Sequence, residues 1–168
     1  MSDPVRVLVL SDTHLPAARA ADLPATVRAE LDRCDVILHA GDVVCAETLD
    51  VLRAHAPLHA VLGNNDHGLQ RLLPDRLELE VGGVPVAMVH DSGPRTGRPA
   101  RLRRWFPEAA VVVFGHSHEP VDELGDDGQR LFNPGSPTQR RRQPHPTLGV
   151  LELGDGRVLD HRIVVVER

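Results

Sequence analysis

Asp12-Thr13-His14, Gly41-Asp42, Gly63-Asn64-Asn65-Asp66, His90 and Gly115-His116-Ser117-His118 are five short polar blocks, each behind an apolar run. Together they carry the carboxylate, imidazole and amide donors of a two-metal hydrolytic centre. Asp12 and His14 are one residue apart, so just past a strand end both side chains can turn to the same side. Gly41 lets the backbone approach closely, and Asp42 then offers a carboxylate able to bridge two ions. Two amides and an acid directly after a buried run, and two histidines flanking a serine after Val-Val-Val-Phe, are costly placements for structure alone. Taken singly, each block also reads as something plainer: a polar turn, an Asx turn, a satisfied histidine. The specificity lies in all five occurring in order, each at a strand end.

The positioning elements follow from the apolar patterns. Residues 5–10, 36–38, 58–62, 84–89 and 110–114 read as buried strands, and parallel strands gather ligand sites along their carboxyl edge. Helical spacing marks residues 23–34, with Pro24 in the first turn, and residues 46–56, halted by Pro57. The first half is thus β-α-β-α-β, with parallel strands and right-handed crossovers. In the second half, 77–81, Gly82-Gly83 and 84–89 read as a hairpin, and 98–106 as a helix ended by Pro107. Turn signals at Asp126-Asp127-Gly128 and Gly154-Asp155-Gly156 announce two more hairpins, with 148–153 and 157–166 as the last paired strands. An α/β half followed by a mostly antiparallel half is expected, in one domain over residues 1–168.

Composition narrows the function. At 168 residues the chain can bury roughly 70% of its unfolded surface without a disulfide or structural zinc. A net charge of −5 argues against nonspecific binding to nucleic acid or anionic membrane. It leaves a phosphate substrate open, because bound cations invert the local field. Cys34 and Cys45 have no zinc spacing and read as buried, reduced thiols. No stretch is long and apolar enough for a membrane span, and no signal-peptide pattern is present, so a cytoplasmic location is expected.

The order D-x-H, G-D, G-N-x-D, H and G-H-x-H resembles that of the calcineurin-like metallophosphoesterases, over essentially the whole chain. Leu38-His39-Ala40-Gly41-Asp42 and Phe132-Asn133-Pro134-Gly135-Ser136 resemble the small bacterial and archaeal phosphodiesterase branch of that family. The branch shares its fold with a retromer scaffold subunit. The resemblance implies an α/β fold of four layers, α-β-β-α, two mixed sheets with helices on both outer faces. It assigns Asp12, His14, Asp42 and His118 to one metal, and Asp42, Asn64, His90 and His116 to the other, with Asp42 bridging. Asn64, Asn65 and His90 are marked as catalytic. The implied activity is phosphodiester hydrolysis by in-line attack of a hydroxide held between two divalent metals. Mixed oxygen and nitrogen donors without cysteine suit Mn, Fe, Zn, Ni or Co, with Mn first. The alternative is a non-catalytic protein-interaction scaffold on the same fold; the full ligand set favours the enzyme.

Asn65 stands where many relatives have a histidine that serves the leaving group. An amide can hydrogen-bond a phosphoryl oxygen but cannot act as a general acid near neutral pH. Substrates with good leaving groups, or a proton from His67 or water, are the two ways around it; His67 also reads as a solvated loop residue. Asp91, where the family usually has glycine, either tunes the second metal or faces solvent. Asp66 is expected to orient a ligand rather than bind metal, and His39 to be buried beside the site. Arg140-Arg141-Arg142 is either a phosphate clamp or a solvated face. Arg101, Arg103 and Arg104 around Trp105 are either an exposed helix face or a contact in a homo-oligomer. The expected partner is a small phosphate ester, with no stable nucleic-acid or membrane partner.

Overall fold

Beyond Arg6 the run Val5–Leu10 has no polar side chain, which suits a strand covered on both faces. In the computed structural model, which describes residues 2–167, this strand (β1) is the centre of a five-stranded sheet. β2 (Val36–His39) and β3 (Leu58–Ala60) continue it in parallel on one side. On the other side β9 (Thr147–Gly154) pairs antiparallel with β1, and β10 (Arg157–Val165) with β9. The last hairpin of the chain therefore completes the first sheet.

The second sheet has the order β4-β5-β6-β8-β7, from Arg76–Val81, Val84–Val89, Val111–Val113, Arg130–Asn133 and Val121–Leu124. Its edge pairs β4/β5 and β7/β8 are antiparallel, but β5/β6 and β6/β8 are parallel. The mostly antiparallel second half expected above is present in these edge pairs and in β9/β10, with β6 as the parallel exception between β5 and β8. The physical reason is the helix between β5 and β6: a crossover returns the chain in the same direction, and periodicity within strands carries no record of which edge they join.

Three helices cover the outer faces: α1 (Ala25–Leu31), α2 (Ala46–Arg53) and α3 (Arg98–Trp105). Each is shorter than its apolar spacing suggested, because that spacing continues into turns beyond the hydrogen-bonded helix. Between the sheets lies one aliphatic layer, with Val7, Val9, Leu38 and Leu151 facing Val86, Met88, Val111 and Phe132. Leu8, Leu10, Ile37 and Val150 turn outward onto Val27 and Leu31 of α1. Ala87, Val112 and Leu131 turn outward onto Leu102 of α3 and Phe106. Alternate side chains of each strand thus serve opposite layers, giving the expected α-β-β-α sandwich. Cys34 and Cys45 are free and half-buried rather than fully buried. Among the described residues, no helix is long and apolar enough to cross a membrane.

Candidate metal centre

Both sheets present the carboxyl ends of their parallel strands to one edge, and the five polar blocks lie there. Backbone hydrogen bonds tie the blocks to each other before any side chain is considered. The Asp12 and His14 amides donate to the carbonyls of Gly41 and Asp42 (2.9 and 3.1 Å), and the Gly115 amide donates to His90 O (2.9 Å). Side chains then join the sheets. His90 Nδ1 donates to Ala40 O (2.7 Å), and Asp12 Oδ2 accepts from the His116 amide (3.0 Å) and from Ser11 Oγ (2.7 Å).

Asp12, His14, Asp42, His116 and His118 all have left-handed backbone, with φ between 47° and 73°. Non-glycine residues adopt this region at a cost of order 1 kcal/mol each, and it clusters where side chains must be aimed at one point. The point is visible in the distances. Asp42 Oδ2 is 3.4 Å from His14 Nε2 and 3.5 Å from His90 Nε2, so one oxygen lies between the two histidines. Asp12 Oδ1 is 3.5 Å from His118 Nε2 and 3.8 Å from His14 Nε2. Asn64 Oδ1 is 2.9 Å from His90 Nε2 and 3.1 Å from His116 Nδ1.

Hydrogen bonding sets the imidazole donors. His118 spends Nδ1–H on Gln139 O, which leaves its Nε2 facing the cluster without a partner, while His90 donates Nδ1–H to Ala40 O and, burial being outweighed by Asp42 and Asp12, holds its proton more tightly than an ordinary imidazole. Burial keeps the His118 ring below its ordinary value and hence neutral, as a metal ligand requires. For Asp42, burial opposes ionisation, but contact with His90 and donation from the Asn65 backbone and side chain hold its carboxyl well below the usual range. Asp12 is likewise held low, burial being outweighed by His14, His90 and Ser11. Two ionised carboxylates therefore share a nearly solvent-free site. Asp12 Oδ1, His14 Nε2 and His118 Nε2 are buried without any hydrogen-bond partner, and lie within 4.8 Å of one another. Asp12, Asp42 and His90 form a second triad of close-lying ligand atoms, of which only Asp12 Oδ1 lacks a hydrogen-bond partner. Buried anions beside orphaned lone pairs call for cations, and the donor set fits divalent ions of the borderline class.

A surrounding frame aims these groups. Asp66 is buried and accepts the amides of Asp42 (2.9 Å), Gly63 (2.7 Å) and Val44 (2.7 Å), so it shapes the Asp42 loop and points no oxygen at the cluster. His39 is fully buried; its Nδ1 accepts the Gly41 amide (3.2 Å), so its Nε2–H donates to Thr13 Oγ1 (3.1 Å). Burial pushes this ring down to about 4. Ser136 Oγ and Thr138 Oγ1 donate to the carbonyls of Asp12 (2.8 Å) and Thr13 (2.6 Å). Sequence reading passed over Ser11 and Thr138 as functional residues, since a small hydroxyl whose partner lies far along the chain leaves no local pattern.

The departures from the expected pattern also find places. Asn65 Nδ2 donates to Asp42 Oδ2 (2.8 Å), so it braces the carboxylate at the centre. Asp91 is exposed, accepts the Gly93 amide (2.8 Å) and reaches to 4.0 Å from His116 Nε2. Arg101 Nε donates to Ser92 O (2.7 Å), securing the loop after His90. A cavity of about 820 Å³ opens beside His14, lined in part by Arg19, Arg28 and Arg140. Another of about 340 Å³ opens beside Asn64, His90 and His116, with Arg76 at its wall. His67 is exposed and lines neither.

Comparison with known proteins speaks to the family and the fold. Residues 5–156 match the family model of the calcineurin-like phosphoesterase superfamily domain. The chain is 36% identical over 159 residues to a probable metallophosphoesterase of Methanothermobacter thermautotrophicus, covering 93% of this chain and 90% of the relative. A predicted phosphoesterase structure from Streptococcus pneumoniae superposes with a TM-score of 0.76 at 22% identity, covering 98% of this chain and 91% of the other. A Vps29 single mutant from Entamoeba histolytica superposes at 0.73 with 25% identity, covering 95% and 98%.

Proposed function

This chain belongs to the calcineurin-like phosphoesterase superfamily, and from that premise we propose that it is a phosphodiesterase with a two-cation centre. Asp12, His14, Asp42, Asn64, His90, His116 and His118 would hold the cations, and the substrate would be a small phosphate ester. The observation that carries the reading is the set of orphaned, converging donor atoms around two ionised carboxylates. Divalent cations bound there supply Lewis-acid polarisation of phosphoryl oxygens and make water nucleophilic at neutral pH. The chain's own residues do the rest. Asp42 Oδ2, between His14 and His90, would help to hold the cations, and Asn65 keeps that carboxylate in place. Asn65 has no acidic proton to give, which favours esters with good leaving groups.

Diester rather than monoester chemistry is supported by the two cavities. One opens on the His14 side of the donor cluster and one on the Asn64–His116 side, room for two ester arms. A second reading, a protein-interaction scaffold, draws on the likeness to Vps29. Hydrolysis of bis-(p-nitrophenyl) phosphate, with Mn²⁺ tested first among divalent ions, separates the two. The enzyme is expected to turn over only with metal, and Asp42→Asn to lower the rate about a hundredfold or more, since even outer partners of metal ligands cost 10–100-fold. Metal analysis finding no bound ion, together with no stimulated turnover, would leave the scaffold.

A further inference from the structure

We propose that the cavity beside His14 binds a second phosphate, carried on the non-scissile arm of the substrate. The substrate class is then a phosphodiester with a further phosphoryl group on a sugar or aliphatic arm. This rests on the phosphoesterase reading above and adds to it a second anion site.

Three guanidinium groups line this one cavity in a chain whose net charge is −5. Asp22 is the one acid of the lining, and it is paired with Arg19, Nε to Oδ2 3.1 Å. Among the described residues no carboxylate pairs with Arg28 or Arg140. Each instead donates through Nη1 to a backbone carbonyl, Leu23 O at 3.0 Å and Gln143 O at 2.8 Å. Such a tether fixes the direction of the fork and leaves its other donors free, the arrangement that suits bidentate phosphate contact. Arg28 comes from α1, and Arg140 from the loop whose Gln139 carbonyl fixes His118, which ties Arg140 to the centre.

The remaining walls define the arm. Pro16, Pro24, Pro137 and Pro146 make them stiff, and no Phe, Tyr or Trp side chain lines the cavity. The three guanidinium groups carry recognition by charge, and the sugar or alkyl body fills the space between them. A volume of about 820 Å³ accommodates such an arm beyond a phosphate held at His14.

The test uses two p-nitrophenyl esters of thymidine monophosphate, identical except for a second phosphate on the free sugar hydroxyl. With the metal-loaded full chain, kcat/KM is expected to favour the doubly phosphorylated ester by about tenfold or more. In the Arg28→Gln/Arg140→Gln double variant that ratio should fall toward one. Equal hydrolysis of both esters by the unaltered protein would overturn the second phosphate site and leave the phosphoesterase reading standing. Failure to hydrolyse any ester with any metal would count against that reading instead. The site is then decided by calorimetric titration of thymidine bisphosphate into the metal-loaded protein. Binding about tenfold weaker in the double variant supports it, and equal binding overturns it.

Discussion

Asp66 shows how one side chain outside the donor cluster governs it. Its two oxygens accept three amides, of Asp42, Gly63 and Val44. Replacing it with alanine strands those donors, and Asp66→Ala should cost about 2–4 kcal/mol of unfolding free energy. Metal affinity should fall about 10–100-fold. A denaturant melt and a metal titration check both; an unchanged metal affinity would mean that Asp42 keeps its direction without Asp66. His39 acts at the same scale through its protonation. The unfolded ring takes a proton near pH ~6.5, whereas the folded ring, pushed down by burial, waits until about 4. Its contribution is therefore intact above about pH 6.5 and is lost as pH falls toward 4, by at most about 1.4 kcal/mol per pH unit. In chelator, the stability difference between the unaltered protein and His39→Gln should shrink over that interval. A difference that stays flat would mean that the folded ring takes its proton as readily as the unfolded one.

At the scale of elements, the site is made by how strands end. After β1, β2 and β6 the chain turns within three residues through a left-handed donor, Asp12, Asp42 and His116, whose side chain swings inward, whereas Asn64 and His90 follow β3 and β5 without one. Glycines permit the close passes between these turns. A Cβ on Gly63 would lie 2.2 Å from the Asp42 amide nitrogen, and one on Gly115 would lie 1.9 Å from Ser11 Oγ. Gly63→Ala pushes against backbone that cannot yield, so it should cost about 2–3 kcal/mol and abolish stoichiometric metal binding. Gly68, with φ +85° and nothing within 4 Å of a Cβ, is the control, since Gly68→Ala carries backbone strain of about 1–2 kcal/mol and no clash. Equal behaviour of the two variants in thermal melts and metal stoichiometry would show that the tight pass between the Asp42 and Gly63 loops is dispensable.

For the whole molecule, the consequence is a coupling between metal and fold. The two sheets meet along one aliphatic layer, and at its edge their loops enclose Asp12 and Asp42, both almost fully buried. Two anions at a joint between sheets strain it unless cations are present. Metal should therefore stabilise the folded chain by about 2.7 kcal/mol per site at a hundredfold excess over Kd. For a chain of this length that is a rise in Tm of about 5–10 °C, lost in chelator. Identical melting with and without chelator would separate the carboxylates from any role in holding cations.

The donors, their order and their place behind apolar runs were all readable along the chain, because metal-ligand chemistry restricts residue types and strand burial leaves runs such as Val5–Leu10 and Val84–Val89. The two hairpins near the end were readable too, from turn residues that only a few backbone conformations accept. Tertiary structure alone decided that the last hairpin joins the first sheet beside β1, and that β6 lies parallel between β5 and β8. Partner choice among strands depends on whole-layer packing, of which a single strand's pattern holds no trace. Structure alone also set Asn65 against Asp42, and gathered Arg19, Arg28 and Arg140 around one cavity from three separate segments. Sequence holds the chemistry of each side chain; which side chains meet is decided by chain crossings and layer contacts, and these are non-local.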